Sequence, residues 1–407
     1  MNGNGRTAVM IGAGNIGRGF VGAAFAASGY ETVFIDVDEG LVAEINARGS
    51  YPVRVLLPDG SSTETLVEGV RAVSGNDHTA AAAEIASADI CATAVGVRAL
   101  PHIANMIALG LALRVRGNAP PLNIIVCENR IDASASLREH VLASLPEDIS
   151  SFVDEYAGYP EAVIGRMVPI QTEDMKDGDS LRICVEKYSF LPANKAAFKG
   201  EIPVVEGLVP LDRFAYYVKR KLYIHNLGHA AAAYLGMING YTYLAEAIDD
   251  PDILFLTAGA MRESAAALSC ENGRDAANLN RSIDSLLYRF SNRALGDTCA
   301  RVGADPARKL GKNDRLIGAL ENCEKYGLPR EYIAAAAAAA ALVFEKSGNK
   351  ESLPPLPEIT GLSAESEAYK LIMSLGTTCA SAEARGGNPV AALRRAVVKT
   401  AGDVTVL

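Results

Sequence analysis

The feature that most constrains this chain is Gly12-Ala13-Gly14-Asn15-Ile16-Gly17, a GxGxxG pattern with an apolar run before it and a small-residue stretch after it. Residues 8–11 read as a buried strand and residues 17–28 as an alanine-rich helix. A second apolar run, 32–35, ends at Asp36, nineteen residues past Gly17. In that context each glycine has a separate task. Gly12 permits the tight turn, Gly14 lets backbone approach a pyrophosphate, and Gly17 lets helix and strand pack closely. Phosphates would then meet the amide-rich end of the helix at Asn15 and Ile16. Asp36 can accept hydrogen bonds from a ribose diol and would repel a 2′-phosphate, which predicts NAD rather than NADP as cofactor. Asp38 adds negative charge at the same place. The alternative is a glycine-rich turn that holds no ligand.

The alternation continues. Residues 90–94 and 123–127 read as further buried strands, with helical patterns between them. This predicts an α/β fold that opens with a doubly wound, parallel sheet of the Rossmann type. Thr93 and Val95 then fall at the sheet's carboxyl edge, beneath the nicotinamide half of a dinucleotide. Residues 52–57 and 63–73 flank Asp59-Gly60 and read as an inserted hairpin. A strand pair is expected around 181–185 and Phe198. Beyond residue 200 the patterns turn helical, at 214–236, 251–268, 279–294, 315–326, 330–346 and 364–375. The expected organisation is an NAD-binding domain over 1–200 and a mostly α-helical substrate and catalytic domain over 201–407. Eight consecutive alanines, 334–341, read as a buried helix, since alanine is the best helix former and packs closely. The PPLP stretch at 354–357 reads as an exposed loop.

Composition removes several classes of function. With 49% hydrophobic and 21% charged residues the chain should fold as a globular protein. A net charge of -9 argues against a nucleic-acid partner, which needs a clustered basic surface. The longest apolar run, 333–344, falls short of the roughly 20 residues that cross a bilayer. The polar start shows no signal-peptide pattern. Seven cysteines form no CxxC pair and are odd in number, which fits reduced thiols in the cytoplasm. The five histidines lack zinc-like spacing, so no metal site is expected. Small molecules are the expected partners, and oligomeric state is not legible.

The chemistry concentrates in Lys221-Leu-Tyr-Ile-His225-Asn226-Leu-Gly-His229. On an α-helix His225, His229 and Asn226 lie about 40°, 80° and 140° around the axis from Lys221, so the four polar groups share one broad face. Gly228, Ala232 and Gly236 fall on that face too and would leave room for a ligand. A dehydrogenase must remove a hydroxyl proton as hydride leaves carbon. A lysine can do this if burial and nearby cations, here Arg220 and the two histidines, bring its pKa towards working pH. Asn226 could steady the alkoxide-like oxygen. The alternative is a solvated lysine with two satisfied core histidines.

Lys-x4-Asn-x2-His resembles the signature of the polyol-specific long-chain dehydrogenases, the mannitol dehydrogenase family. Agreement extends through residues 220–236 and, in order along the chain, 11–20 (IGAGNIGRGF), 121–129 (PLNIIVCEN), 198–200, 301–316 (RVGADPARKLGKNDRL) and 326–329 (YGLP). The resemblance implies Lys221 as general base, Asn129 and Asn226 as amides beside the reacting oxygen, and His229 as a ligand of a substrate hydroxyl. Asn129 also makes sense by position, just past a strand at the carboxyl edge, with Glu128 as its orienting neighbour. One departure stands out. Ile164-Gly165-Arg166-Met167 replaces a Val-Asp-Arg-Ile-type stretch, removing an acidic group, and His225 replaces a neutral residue. Either the pocket is recut for another substrate or His225 compensates.

Arg308, Lys309 and Arg315 form a second basic group, either a solvated face or the grip on a sugar phosphate, which arginine suits through paired donors. The resemblance implies reversible, metal-independent oxidation of D-mannitol 1-phosphate to D-fructose 6-phosphate with NAD. The alternatives are a hexuronate reductase, an unphosphorylated polyol dehydrogenase, or a regulator that binds NAD without turnover.

Overall fold

In the computed structural model of the protein, residues 5–130, 132–145, 147–348 and 354–401 are described. Eleven strands order them: β1 (Thr7–Ile11), β2 (Glu31–Asp36), β3 (Ser50–Leu56), β4 (Ser62–Glu68), β5 (Val70–Ser74), β6 (Ile90–Thr93), β7 (Leu122–Val126), β8 (Ala157–Gly158), β9 (Ile183–Glu186), β10 (Leu191–Asn194) and β11 (Leu208–Leu211). Six pair in parallel in the order β5-β2-β1-β6-β7-β8. That order reverses direction between β1 and β6, so the loops after those two strands flank the crevice where such sheets take ligands.

The central strands are apolar on both faces because both faces are covered. Ala8, Met10 and Phe34 pack with Phe20, Phe25 and Tyr51 on one side. Val9, Ile11, Val33 and Ile35 pack on the other, against the helices His78–Ser87, Leu100–Arg116 and Ala133–Ala143. This is the doubly wound arrangement that the alternation predicts.

The inserted hairpin is present, β3 against β4, but the run 63–73 is two strands rather than one. Gly69, at a φ of 70°, turns the chain so that Val70–Ser74 joins the main sheet beside β2. Phe198 lies outside any strand. Ile183–Glu186 instead extends the hairpin by pairing with β3, and a separate pair forms between β10 and β11.

The chain divides into two compact units between Tyr217 and Val218, inside the helix Phe214–Arg220, with Pro58–Gly60 grouped apart from the rest of the first. The expected division at residue 200 falls before β11, whose pairing with β10 keeps it in the first unit. The second unit is helical. Its buried centre is the helix Glu331–Lys346, in which Ile333 through Ala341 are all buried. It packs against Leu227–Ile238, Pro251–Asn272 and Glu367–Ala384, and its run of methyl side chains permits close approach. Among the described residues of the second unit, the helices Leu244–Asp249 and Pro389–Thr400 and the short turns Cys299–Val302 and Pro306–Lys309 escaped the sequence patterns. The PPLP stretch is not wholly loop, since Leu356 and Pro357 open the short helix Leu356–Thr360.

Candidate active site

The glycine loop follows β1. Gly12 has a φ of 98°, and a Cβ there would meet the Ala94 carbonyl oxygen at 2.5 Å. A side chain at Gly17 would collide with the Gly12 carbonyl, whereas the space beside Gly14 is open to 4 Å. Packing therefore demands glycine at 12 and 17, and Gly14 leaves bare backbone facing outward with Asn15 exposed beside it. The next turn, Gly17–Gly22, is a π-helix, a wide turn frequent at functional sites. It fits because Gly19 and Gly22 let it press on Ile183 and on the Phe34 ring.

Asp36 ends β2 beside this loop. Its Oδ2 accepts from the Ala13 amide at 2.6 Å and its Oδ1 from the Asp38 amide at 3.1 Å. Each oxygen keeps a second lone pair for a hydroxyl. After β6, Thr93 is fully buried, so its side chain belongs to the sheet rather than to its edge. The Val95 and Gly96 amides donate to Oε1 and Oε2 of Glu128, at 3.0 and 2.9 Å. The carboxylate after β7 thus pins the loop after β6. Asn129 follows it, exposed at the carboxyl edge. These groups, open backbone at a helix start with a carboxylate at the second strand's end, fit a dinucleotide.

The second unit holds the other candidate residues. Phe214–Arg220, Lys221–Asn226 and Leu227–Ile238 form a continuous helix whose middle turn is a π-helix. This changes the geometry read from an α-helical wheel. A turn closed by i→i+5 hydrogen bonds holds about 4.4 residues, so Asn226 comes to lie about 50° from Lys221, with His225 and His229 within about 30°. The four polar residues share a narrower face than α spacing allows. The same shift carries Gly228 about 110° from Lys221 and off that face, while Gly236 stays on it. A Cβ at 228 would strike Met261, and one at 236 would stand 2.7 Å from Cys299 Sγ. Those positions are small because helices pack on them, not to admit a ligand.

Phe290, at the end of the helix Ala276–Phe290, holds both imidazoles. It stacks on His229 with centroids 4.9 Å apart and planes at 17°, and lies 5.8 Å from the His225 ring. His229 Nε2 is 3.6 Å from Asp297 Oδ2, and the other Asp297 oxygen meets Arg301. Burial pushes the Asp297 carboxyl up, but His229 and Arg301 outweigh it and hold the group below its ordinary value. It is therefore a carboxylate, fixed behind the imidazole. Burial drives His225 well below its ordinary value, and His229, Arg289, Lys221 and Arg315 push the same way. His225 is accordingly neutral near pH 7. Arg220 does not join this group by hydrogen bonding, since its Nη2 donates to Ser282 Oγ at 2.8 Å.

The basic group is divided. Lys309 is buried, with its ammonium donating to the Val302 and Ala304 carbonyls. Burial brings its pKa down to about 8. Arg308 lies at the surface and bridges Asp305 and Asp314. Arg315 is largely buried and pairs with Asp314 Oδ1 at 2.7 Å. Of the three, Arg315 alone both reaches the electrostatic neighbourhood of His225 and keeps a guanidinium not tied to backbone. At position 165 a Cβ would meet the Tyr188 ring at 2.9 Å. The aromatic ring fills the room that an acidic side chain would need.

Sequence reading missed Asp297, Phe290 and Arg18. Nothing near Asp297 in the chain marks it, because its partner His229 comes to it only through folding. Arg18 carried a visible signal, a charge inside a run of glycine and alanine.

Residues 6–207 match the family model described as the mannitol dehydrogenase Rossmann domain, and residues 214–357 match the mannitol dehydrogenase C-terminal domain. The chain is 40% identical over 345 residues to the mannitol-1-phosphate 5-dehydrogenase of Brevibacillus brevis, covering 85% of this chain and 88% of that one. Among solved structures it is similar to a D-sorbitol dehydrogenase in substrate-free form, at 16% identity and a TM-score of 0.78, covering 96% of each chain. It is also similar to Pseudomonas fluorescens mannitol 2-dehydrogenase in a ternary complex with NAD and D-mannitol, at 15% identity and a TM-score of 0.68, covering 98% of this chain and 92% of that one. At these identities the structural likeness is one of fold.

Proposed function

The chain belongs to the mannitol dehydrogenase family, and from that premise we propose that it is an NAD-dependent polyol dehydrogenase interconverting D-mannitol 1-phosphate and D-fructose 6-phosphate. The observation that carries the chemistry is the face on which the π turn gathers Lys221, His225, Asn226 and His229. The 40% identical relative supports the substrate.

NAD, when bound, supplies the hydride acceptor. The loop residues Gly12, Gly14, Asn15, Ile16 and Gly17 would hold its pyrophosphate, Asp36 its ribose diol, and the backbone that leaves β6 at Thr93 and runs to Val95 the nicotinamide half. Lys221 Nζ takes the proton of the hydroxyl being oxidised, and in the reverse direction its ammonium returns that proton to the carbonyl oxygen. The Asn226 amide donates to the same oxygen as charge develops there. His229 hydrogen-bonds a substrate hydroxyl, held in place by Asp297 and by stacking on Phe290. His225 adds a neutral hydrogen-bonding group to that face. Asn129 enters as a second amide on the resemblance alone. Arg315 is the cation we assign to the phosphate. No step in this reading calls on a metal. We read the enzyme as cytoplasmic. Its cysteines are free and, among the described residues, no helix is long and apolar enough to cross a membrane.

One observation favours a second reading. Tyr188 occupies the space beside Gly165, where the resemblance implies an acidic neighbour of the substrate, and an unphosphorylated polyol or a hexuronate is then the substrate. Initial rates of NADH oxidation with fructose 6-phosphate, fructose and a hexuronate decide between them. We expect fructose 6-phosphate to give the highest kcat/KM by at least about tenfold, the least that a charge-assisted phosphate contact provides. Equal rates on fructose, or a preference for the hexuronate, would transfer the assignment to the second reading.

A further inference from the structure

Arg18 is a buried guanidinium that the chemistry above does not use, one residue past the glycine loop. Its side chain turns back under the loop. Nε donates to the Ala13 carbonyl at 2.7 Å and Nη1 to the Leu181 carbonyl at 2.6 Å. Its own carbonyl accepts from the Tyr51 hydroxyl at 2.8 Å. Among the described residues no carboxylate comes within ion-pair distance of it.

These contacts fix two peptide planes. The Ala13 N–H is held by Asp36 Oδ2 at 2.6 Å. The Ala13 C=O is held by Arg18. In a trans peptide the C=O and the following N–H point in opposite directions. With the Ala13 carbonyl drawn under the loop, the Gly14 amide must point away from Arg18. Gly14 is exposed, and no atom stands within 4 Å of where its Cβ would be. Arg18 thus aims a donor outward at the helix start, where anions bind.

Charge points the same way. Both partners of the guanidinium are neutral carbonyls. A buried cation whose nearest carboxylates, Asp36, Glu44 and Asp179, act on it only from beyond ion-pair distance is held at a cost, and burial lowers the Arg18 pKa against their pull. An anion arriving at the loop offsets that cost, and a neutral ligand cannot.

We propose that Arg18 is a positioning residue for the cofactor's pyrophosphate, locking the Ala13–Gly14 peptide so that its amide faces the phosphates and supplying beneath them a positive charge that no carboxylate holds in ion-pair contact. The proposal rests on the dinucleotide reading of the first unit and is independent of the substrate.

The test compares the affinities of NADH, ADP and adenosine for the full chain and for Arg18→Met and Arg18→Lys, with thermal unfolding of each variant recorded with and without NADH. Arg18→Met should weaken NADH and ADP alike by roughly 10- to 100-fold, with adenosine changed less than about twofold. It should also flatten the dependence of ADP affinity on salt, since fewer charges are screened. Arg18→Lys, which keeps the charge but not the fork, should fall between. Wild-type ADP affinity in Arg18→Met overturns the proposal. So does an equal loss of adenosine, which marks a loop that has merely collapsed. If the unmodified chain binds neither NADH nor ADP, the dinucleotide reading itself fails.

Discussion

Among the described residues two π-helical turns lie at the two candidate sites, and they are made in opposite ways. The first, Gly17–Gly22, is walled by glycines and works through backbone, because its task is to bring amides and a close-packed helix to the edge of a sheet. The second, Lys221–Asn226, carries lysine, histidine and asparagine and works through side chains. A wide turn serves the first by letting a helix press on Ile183 and Phe34. It serves the second by bringing residues five apart onto one face. On the function we propose, the same local distortion of a helix yields a binding surface or a reactive one, depending on whether side chains are removed from it or concentrated on it.

Breaking the second turn should leave the first intact. The largest effect is expected for Lys221→Ala, which should lower kcat by roughly 10²- to 10⁴-fold, the range of a lost general base. Its NADH affinity should stay within about twofold of the unmodified enzyme, measured by fluorescence titration. Asp297→Asn acts one layer behind. It leaves the imidazole of His229 without its carboxylate and should lower kcat/KM by roughly 10- to 100-fold, again with NADH binding retained. Unchanged kcat/KM would make the Asp297–His229 contact purely structural.

The basic group separates function from packing within the second unit. Arg315→Ala should raise the KM for fructose 6-phosphate by roughly tenfold or more while fructose is treated as before. Lys309→Met should leave that KM unchanged and lower the unfolding temperature, because the Val302 and Ala304 carbonyls lose their donor. A KM effect in Lys309→Met would return that residue to the substrate.

The smallest effect lies away from both turns. Glu263 accepts from the Tyr332 and Ile333 amides at the start of the buried alanine helix. Burial, against those amides, raises its pKa to about 8 from 4.5. The folded chain then keeps a proton that the unfolded chain releases. Its contribution is whole below pH 4.5 and falls as pH rises to about 8, by at most about 1.4 kcal/mol per pH unit. Glu263→Gln should flatten this slope in denaturant unfolding followed across that window. An unchanged slope would place the titrating group elsewhere.

The first region was largely legible in the sequence because steric rules dictate its residues. Gly12, Gly17 and Asp36 occupy positions that few other side chains can fill, and strand periodicity places them at one edge. The second was legible in composition but not in geometry. Lys221, His225, Asn226 and His229 announce chemistry, yet an α-helical wheel put Asn226 too far round and made Gly228 and Gly236 seem open. Met261 and Cys299 close the space beside those glycines, a tertiary contact that sequence spacing does not record. Asp297 was hidden for the same reason, and the break at Gly69 was read through because the residues on both sides of it form strands.

In the reaction we propose, Lys221 on the second π turn is the proton acceptor, and added amines probe that role. Single-turnover oxidation of mannitol 1-phosphate by Lys221→Ala, with NAD saturating, is followed across a series of small primary amines of different basicity. A free amine filling the vacated space should restore turnover, saturably, with a rate that rises with amine pKa as general-base catalysis requires. Turnover near that of the unmodified enzyme without amine, or a variant that binds NAD yet answers to no amine, would contradict the assignment.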